Sequence, residues 1–109
     1  RRREGRPNRL IFRELVTTQL EAGKTGIEGA SRQCGMSVST LQRRLRASGT
    51  SYQQLLEEAR LELARSLLKN TAEPLGEIAA QLGYGHLGNF SRAFSRMAGQ
   101  SPSAYRRGS

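Results

Sequence analysis

The sequence predicts an all-α fold of about seven helices. Three observations carry that prediction. No segment alternates apolar and polar residues with the period of two that a β-branched strand would show. Leucine, isoleucine, alanine and phenylalanine instead recur at spacings of three and four. Single glycines, prolines and serines punctuate those stretches where helices would start and stop.

Taken in order, Arg1–Pro7 is charged and carries Gly5 and Pro7, so it reads as a flexible basic arm or linker. Asn8 is a candidate cap for a first helix over roughly Arg9–Ala22, with Ile11, Phe12, Leu15, Val16 and Leu20 on its apolar face and Gly23 as its stop. A short helix is expected from Ile27 to Cys34, ended by Gly35. Ser37 or Ser39 caps the next one, which runs to about Ala47 and is ended by Gly49. Ser51 caps the longest helix, Tyr52–Asn70, whose stripe is Leu55, Leu56, Ala59, Leu63, Leu67 and Leu68. Pro74 suits the first turn of a helix continuing to Leu82 and stopping at Gly83. A helix over Leu87–Met97 then ends before Gly99, and Ser101-Pro102 opens a last one through Arg106, with Pro102 at its first position.

The chain also repeats itself. Ile27, Ala30, Cys34 and Gly35 stand opposite Leu75, Ile78, Leu82 and Gly83. After a one-residue slip, Leu41, Arg43 and Leu45 stand opposite Phe90, Arg92 and Phe94, and one residue further out of step Gly49 and Ser51 fall opposite Gly99 and Ser101. Each copy has apolar and small residues where two helices would cross and a glycine where the chain reverses, the pattern of a helix-turn-helix. The outward residues are then Ser39, Thr40, Gln42, Arg43 and Arg46 in the first copy and Leu87, Gly88, Ser91, Arg92 and Ser95 in the second. The expected organisation is an arm over 1–7, a first helix-turn-helix subdomain over 8–50, a linker helix over 51–71 and a second subdomain over 72–109.

With 109 residues and a net charge of +9, the chain supports one domain or two very small ones. Only 36% of residues are hydrophobic and 6% aromatic, which limits the core to modest clusters. A sequence pI near 11.2 is the electrostatic footprint of a nucleic-acid binder. A basic soluble protein with no polyanionic partner is the plainer alternative. The basic residues are spread over several short segments, which argues against a helix lying on a membrane surface. No apolar run approaches the ~18 residues that span a bilayer, and no secretory signal is visible.

Outward Arg and Gln side chains suit a major groove, where Arg pairs with guanine O6 and N7 and Gln with adenine. Arg43 and Arg92 hold equivalent places in the two copies and are the expected base readers. Ser37, Arg44, His86, Ser95 and Arg96 lie nearer the flanks and are candidates for phosphate contacts. The long helix spans about 28 Å at ~1.5 Å per residue. Successive major grooves on one face of a duplex lie about 34 Å apart, close enough for two readers on one strut. Readers set slightly closer than one turn would bend the duplex toward the protein, at a smooth-bending cost of about 1–6 kcal/mol.

At this point the residues resemble a known family, the AraC/XylS transcriptional regulators. The resemblance covers about Asn8 to Arg107. Its most specific part is Ile78-Ala79, Gly83-Tyr84, Phe90-Ser91-Arg92-Ala93-Phe94, Gly99, Ser101-Pro102 and Tyr105-Arg106, joined by Arg60 and Ala64 in the long helix. It implies two helix-turn-helix subdomains joined by a linker helix, bound in adjacent major grooves of double-stranded DNA. It implies base contacts from Ser39, Gln42 and Arg43 in the first unit and from Leu87, Gly88 and Arg92 in the second. His86 stands where the family often has an acidic or hydroxyl cap, and Gly88 where a polar residue is commoner. The second unit is therefore expected to depend on Arg92, backbone contacts and DNA shape. Many members carry a separate effector-binding or dimerisation domain before this one. The start at Arg1-Arg2-Arg3 without Met reads as a fragment whose partner domain is missing.

Other residues invite weaker readings. His86 is the one histidine and Cys34 the one cysteine, so neither a metal site nor a disulfide is expected. His86 reads as a helix cap or phosphate contact, or as plain solvent exposure. Cys34 reads as a small core residue, with a redox-sensing thiol as the alternative. Phe90 and Phe94 are expected in the core rather than stacked on single-stranded bases. Glu57, Glu58 and Glu62 form a solvated face or meet a partner such as RNA polymerase. The sequence shows no nucleophile–base pair, no metal cluster and no phosphate-cradling glycine loop, so no catalytic residue, metal or cofactor is expected. A non-specific architectural or RNA-binding module is the rival to sequence-specific binding. The expected location is the bacterial cytoplasm, at the nucleoid.

Overall fold

The structure, a computed structural model, describes residues 5–108, with side chains from Arg9 onward. Among the described residues it is all-α, with helices α1 (Gly5–Glu21), α2 (Ile27–Cys34), α3 (Val38–Ala47), α4 (Tyr52–Asn70), α5 (Leu75–Gln81), α6 (Leu87–Ala98) and α7 (Pro102–Gly108). The chain divides into two compact units inside α4, between Ala59 and Arg60. The helix expected as a separate linker therefore supplies residues to both units.

The first difference from the sequence reading lies at the start. Helix α1 begins at Gly5, so Gly5, Arg6 and Pro7 of the expected arm are helical and Asn8 lies inside the helix rather than capping it. Pro7 is no obstacle, because first-turn N–H groups have no intrahelical acceptor to lose. Arg1–Glu4 of the expected arm lie outside the described residues.

In the first unit, α1 packs on α2 and α2 on α3. The core is Phe12, Val16 and Leu20 from α1, Ala30 from α2, Leu41 and Leu45 from α3, and Leu55, Leu56 and Ala59 from α4. Ile11 does not share the buried face as expected, being 61% exposed beside Leu10 at 60%. At about 100° per residue, the face fixed by Phe12, Val16, Gln19 and Leu20 turns Ile11 outward. Gln19 is buried where α1 meets α2: a Cβ on Gly29 would stand 3.2 Å from its Oε1, so a larger residue there would push the Gln19 amide aside by a few tenths of an ångström.

In the second unit, α5 packs on α6 and α6 on α7. Ala64 and Leu68 from α4, Ile78, Ala79 and Leu82, Phe90 and Phe94, and Pro102 are buried. Leu63 and Leu67, expected in the stripe, are only half-buried, and Ala64 takes the inward place. Tyr84, Phe90, Phe94 and Tyr105 form a continuous aromatic chain with centroid separations of 5.6, 5.8 and 5.6 Å. The two Phe–Phe and Phe–Tyr contacts at its end are edge-on, the arrangement favoured by the ring quadrupoles. The first unit uses Leu41 and Leu45 where the second uses Phe90 and Phe94, so the same scaffold is filled once with aliphatic and once with aromatic side chains.

Two cations of α4, Arg60 and Lys69, lie against aromatic rings of the second unit. Arg60 Nε donates to the Leu82 carbonyl at 2.9 Å while its guanidinium lies 4.8 Å from the Tyr84 ring centroid. Lys69 Nζ lies 4.8 Å from the Tyr105 ring centroid. In the first unit, Arg9 and Arg13 both reach Glu58, at 3.0 and 3.9 Å. Glu58 is thus tied into its own unit rather than being part of a purely solvated acidic face.

Candidate nucleic-acid interface

The two helix-turn-helix turns are built by the same hydrogen bonds. In the first, Gly35 N–H donates to the Arg32 carbonyl at 3.1 Å and Met36 N–H to the Ser31 carbonyl at 3.0 Å. In the second, Gly83 N–H donates to the Ala80 carbonyl at 3.1 Å and Tyr84 N–H to the Ala79 carbonyl at 3.0 Å. Both glycines sit in the left-handed region, at φ 72° and 90°, which a side chain disfavours. Ser31 and Ala79 hold equivalent buried places, and the Ser31 hydroxyl is satisfied by the Glu28 carbonyl at 2.9 Å. The second turn then runs through Gly83, Tyr84, Gly85 and His86 before α6, one residue more than Gly35, Met36 and Ser37 before α3. That extra residue is the physical origin of the first slip in the sequence repeat, between the turns and the helices that follow them.

Helices α3 and α6 follow these turns. Ser37 is the N-cap of α3, accepting from Thr40 N–H at 3.1 Å and donating its hydroxyl to Thr40 Oγ1 at 3.0 Å. His86 is the N-cap residue of α6, but its side chain makes no capping bond, which corrects the capping half of its expected role. An imidazole is longer and less suited than a hydroxyl to reach the N2 or N3 amide. Pro74 likewise precedes α5 as its N-cap residue, with ψ 149°, instead of opening its first turn. Ser51 and Ser101 cap α4 and α7 alike, accepting from Gln54 N–H at 3.1 Å and from Ala104 N–H at 3.0 Å.

Arg43 and Arg92 each stand sixth in their helix, and both are exposed. On α3, Ser39, Gln42, Arg44 and Arg46 are also exposed, as is Ser37, while Thr40 is half-buried with its hydroxyl engaged by Ser37. On α6, Leu87 is 43% exposed. Gly88 and Arg96 are exposed, as is His86, and Ser91 and Ser95 are half-buried. A cleft of about 450 Å³ opens in the first unit between Ile27, Gln42, Arg46 and the start of α4 at Ser51, Tyr52 and Gln53. It places Gln42 and Arg46 beside a helix N-terminus, where backbone amides favour anions.

Sequence reasoning passed over Asn89, which is exposed one turn before Arg92 and accepts a hydrogen bond from it at 2.7 Å. The readable signal was the spacing of three between an amide and a guanidinium on one helix. Cys34, expected in the core, is only half-buried at the last residue of α2, whereas Leu82 is fully buried. Burial pushes its thiol up from the ordinary value. Among the described residues, no His, Cys, Asp and Glu side chains gather into a group able to hold a metal ion, and no helix is long and apolar enough to cross a membrane.

Residues 30–108 match the family described as Helix-turn-helix domain. The chain belongs to the AraC/XylS type of that family. Among curated AraC-type relatives, the ornithine utilization regulator of Pseudomonas aeruginosa is 44% identical over 80 residues, which cover 73% of this chain and 24% of the relative. The transcriptional activator NphR of Rhodococcus sp is 36% identical over 93 residues, covering 85% of this chain and 28% of the relative. The chain thus spans about a quarter of the length of these relatives. Among solved structures, a DNA-binding transcriptional dual regulator from Escherichia coli K-12 superposes with a TM-score of 0.77 at 28% identity, covering 87% of this chain and 88% of that one. The DNA-binding domain of AdpA, a global transcriptional factor solved in complex with a target DNA, superposes with a TM-score of 0.72 at 30% identity, covering 87% and 88%.

Proposed function

We propose that this chain is the sequence-specific double-stranded DNA-binding part of a bacterial transcription regulator. Helices α3 and α6 enter adjacent major grooves, and the chain acts by binding rather than by catalysis. The observation that carries this reading is the repeated arginine: Arg43 and Arg92 project from the same place in two recognition helices, each following the same glycine turn. A net charge of +9 supplies the general attraction to phosphate. The relatives' names and the AdpA complex support it.

Within this proposal, Arg43 and Arg92 read guanine, Gln42 reads adenine, and Ser39, Thr40, Arg46, Leu87, Gly88 and Ser91 complete the two base-facing surfaces. Ser37, Arg44, His86, Ser95 and Arg96 contact phosphates, as do the amides at the start of α6. The longer relatives support a whole protein with a further effector-binding or dimerisation domain. Glu57 and Glu62 belong to the face that would meet RNA polymerase. The place of action is the bacterial cytoplasm, at the nucleoid.

Selection of bound duplexes from a random pool tests the reading. The expected product is a non-palindromic site with two boxes about one helical turn apart. Recovery of unrelated sequences, or equal competition by scrambled duplex or RNA, would leave only a non-specific binder.

A further inference from the structure

The recognition helix of the second unit holds its arginine differently from that of the first. Arg92 Nη2 donates to Asn89 Oδ1 at 2.7 Å. Its Nη1 lies 3.4 Å, and its Cζ 3.9 Å, from the point where a Cβ on residue 88 would stand. The guanidinium is therefore drawn back toward the start of α6, over Gly88, into space that a longer side chain there would contest. In the first unit the corresponding residues are Thr40 and Ser39. The Thr40 hydroxyl accepts from Ser37 Oγ at 3.0 Å, so it is engaged with its own helix cap.

An exposed arginine samples many rotamers, and fixing one of them on a base edge costs entropy. A side chain already held by a neighbour has less to lose, and its geometry is better defined. One N–H of Nη2 is used by Asn89. The remaining N–H groups of the guanidinium form an edge made only of donors. Such an edge matches guanine O6 and N7, and it opposes the amino groups of adenine and cytosine.

We infer that Asn89 is a positioning residue for specificity: it holds Arg92 over Gly88 so that α6 presents a donor-only edge to guanine. This rests on the DNA-reading proposed above and deepens it. It also makes the box read by α6 more sharply guanine-selective than the box read by α3.

The test measures binding of the full chain, and of its Asn89→Ala and Asn89→Asp variants, to duplexes that differ at single base pairs in each box. Asn89→Ala should lower guanine preference at one position of the α6 box roughly tenfold, a fraction of what a full bidentate pair supplies. Its affinity for scrambled duplex, its melting temperature and its preferences in the α3 box should stay unchanged. Asn89→Asp keeps the acceptor oxygen, so it should retain the guanine preference while weakening binding to every duplex alike by charge repulsion. Undiminished guanine preference in Asn89→Ala would overturn the inference, as would an equal loss on specific and scrambled duplexes. Loss of preference in Asn89→Asp as complete as in Asn89→Ala would assign the reading to Nδ2 itself and also overturn it. A wild-type chain that discriminates no base in either box would sink the DNA-reading proposal, whereas a discriminating wild type with an indifferent Asn89→Ala sinks only this one.

Discussion

Arg106 Nε donates to the carbonyl of Leu68, 3.1 Å away and 38 residues earlier in the chain. The same guanidinium donates through Nη1 to the Glu73 carbonyl at 2.8 Å and through Nη2 to the Thr71 carbonyl at 3.1 Å. The last carbonyls of a helix have no intrahelical donor, and Arg106 supplies one to the end of α4 and two to the turn after it. Arg106→Ala should destabilise the second unit by about 1.5–3 kcal/mol, the range for hydrogen bonds to a charged group. Arg106→Lys should recover little of that, because an ammonium cannot span three carbonyls with a planar fork. Urea unfolding of both variants checks this; a lysine variant as stable as the wild type would contradict it.

The two cores should respond separately. Leu45 is 1% exposed and Phe94 is 2% exposed, with Phe94 touching both Phe90 and Tyr105. Leu45→Ala and Phe94→Ala should each cost about 2–5 kcal/mol of folding stability. Denaturant midpoints read the effect, and an unchanged midpoint would remove the packing assignment.

Base readers and phosphate binders should separate in binding assays. Arg43→Ala or Arg92→Ala should cost about 1–3 kcal/mol on the selected site and relax preference at one position only. Arg44→Ala or Arg96→Ala should weaken all duplexes alike and make the log–log salt slope shallower by about 1. With roughly 6 phosphate contacts, the wild-type slope should lie near −5. Titrations at several salt concentrations distinguish the two classes.

Cys34 gives a pH signature. Burial raises its thiol above the ordinary 9.0, so the folded state holds that proton more tightly than the unfolded chain. The resulting stability is fully present below the unfolded thiol's pKa and is lost as pH rises through the folded one. The wild type should therefore lose more stability than Cys34→Ala when the pH is raised from about 8 to about 10. Urea midpoints at the two pH values check this, and parallel losses would assign the alkaline drop to other groups.

Much of the fold was legible because helix ends are local chemistry. Gly35 and Gly83 end two helices through positive φ, and Ser37, Ser51 and Ser101 start three through hydroxyl caps, each within four residues of its partner. The start of α1 was illegible because Pro7 and Asn8 read as breakers but are equally at home in a first turn. Which leucines of α4 turn inward was also hidden: Leu63 and Ala64 are neighbours in sequence, and packing decided for the smaller one. At the interface, repetition alone picked out Arg43 and Arg92. Asn89 has no counterpart amide in the first copy, so comparing the copies could not find it.

The boundary between the two units falls within an unbroken helix, leaving Tyr52–Ala59 on one side and Arg60–Asn70 on the other. Helices shorter than ~12–15 residues are marginal alone in water. Severing the polypeptide at Ala59 would therefore give two fragments with frayed ends and incomplete hydrophobic clusters. Dissection into autonomous halves calls for overlapping fragments that both retain Tyr52–Asn70, and natural shuffling of either half would carry the same segment with it.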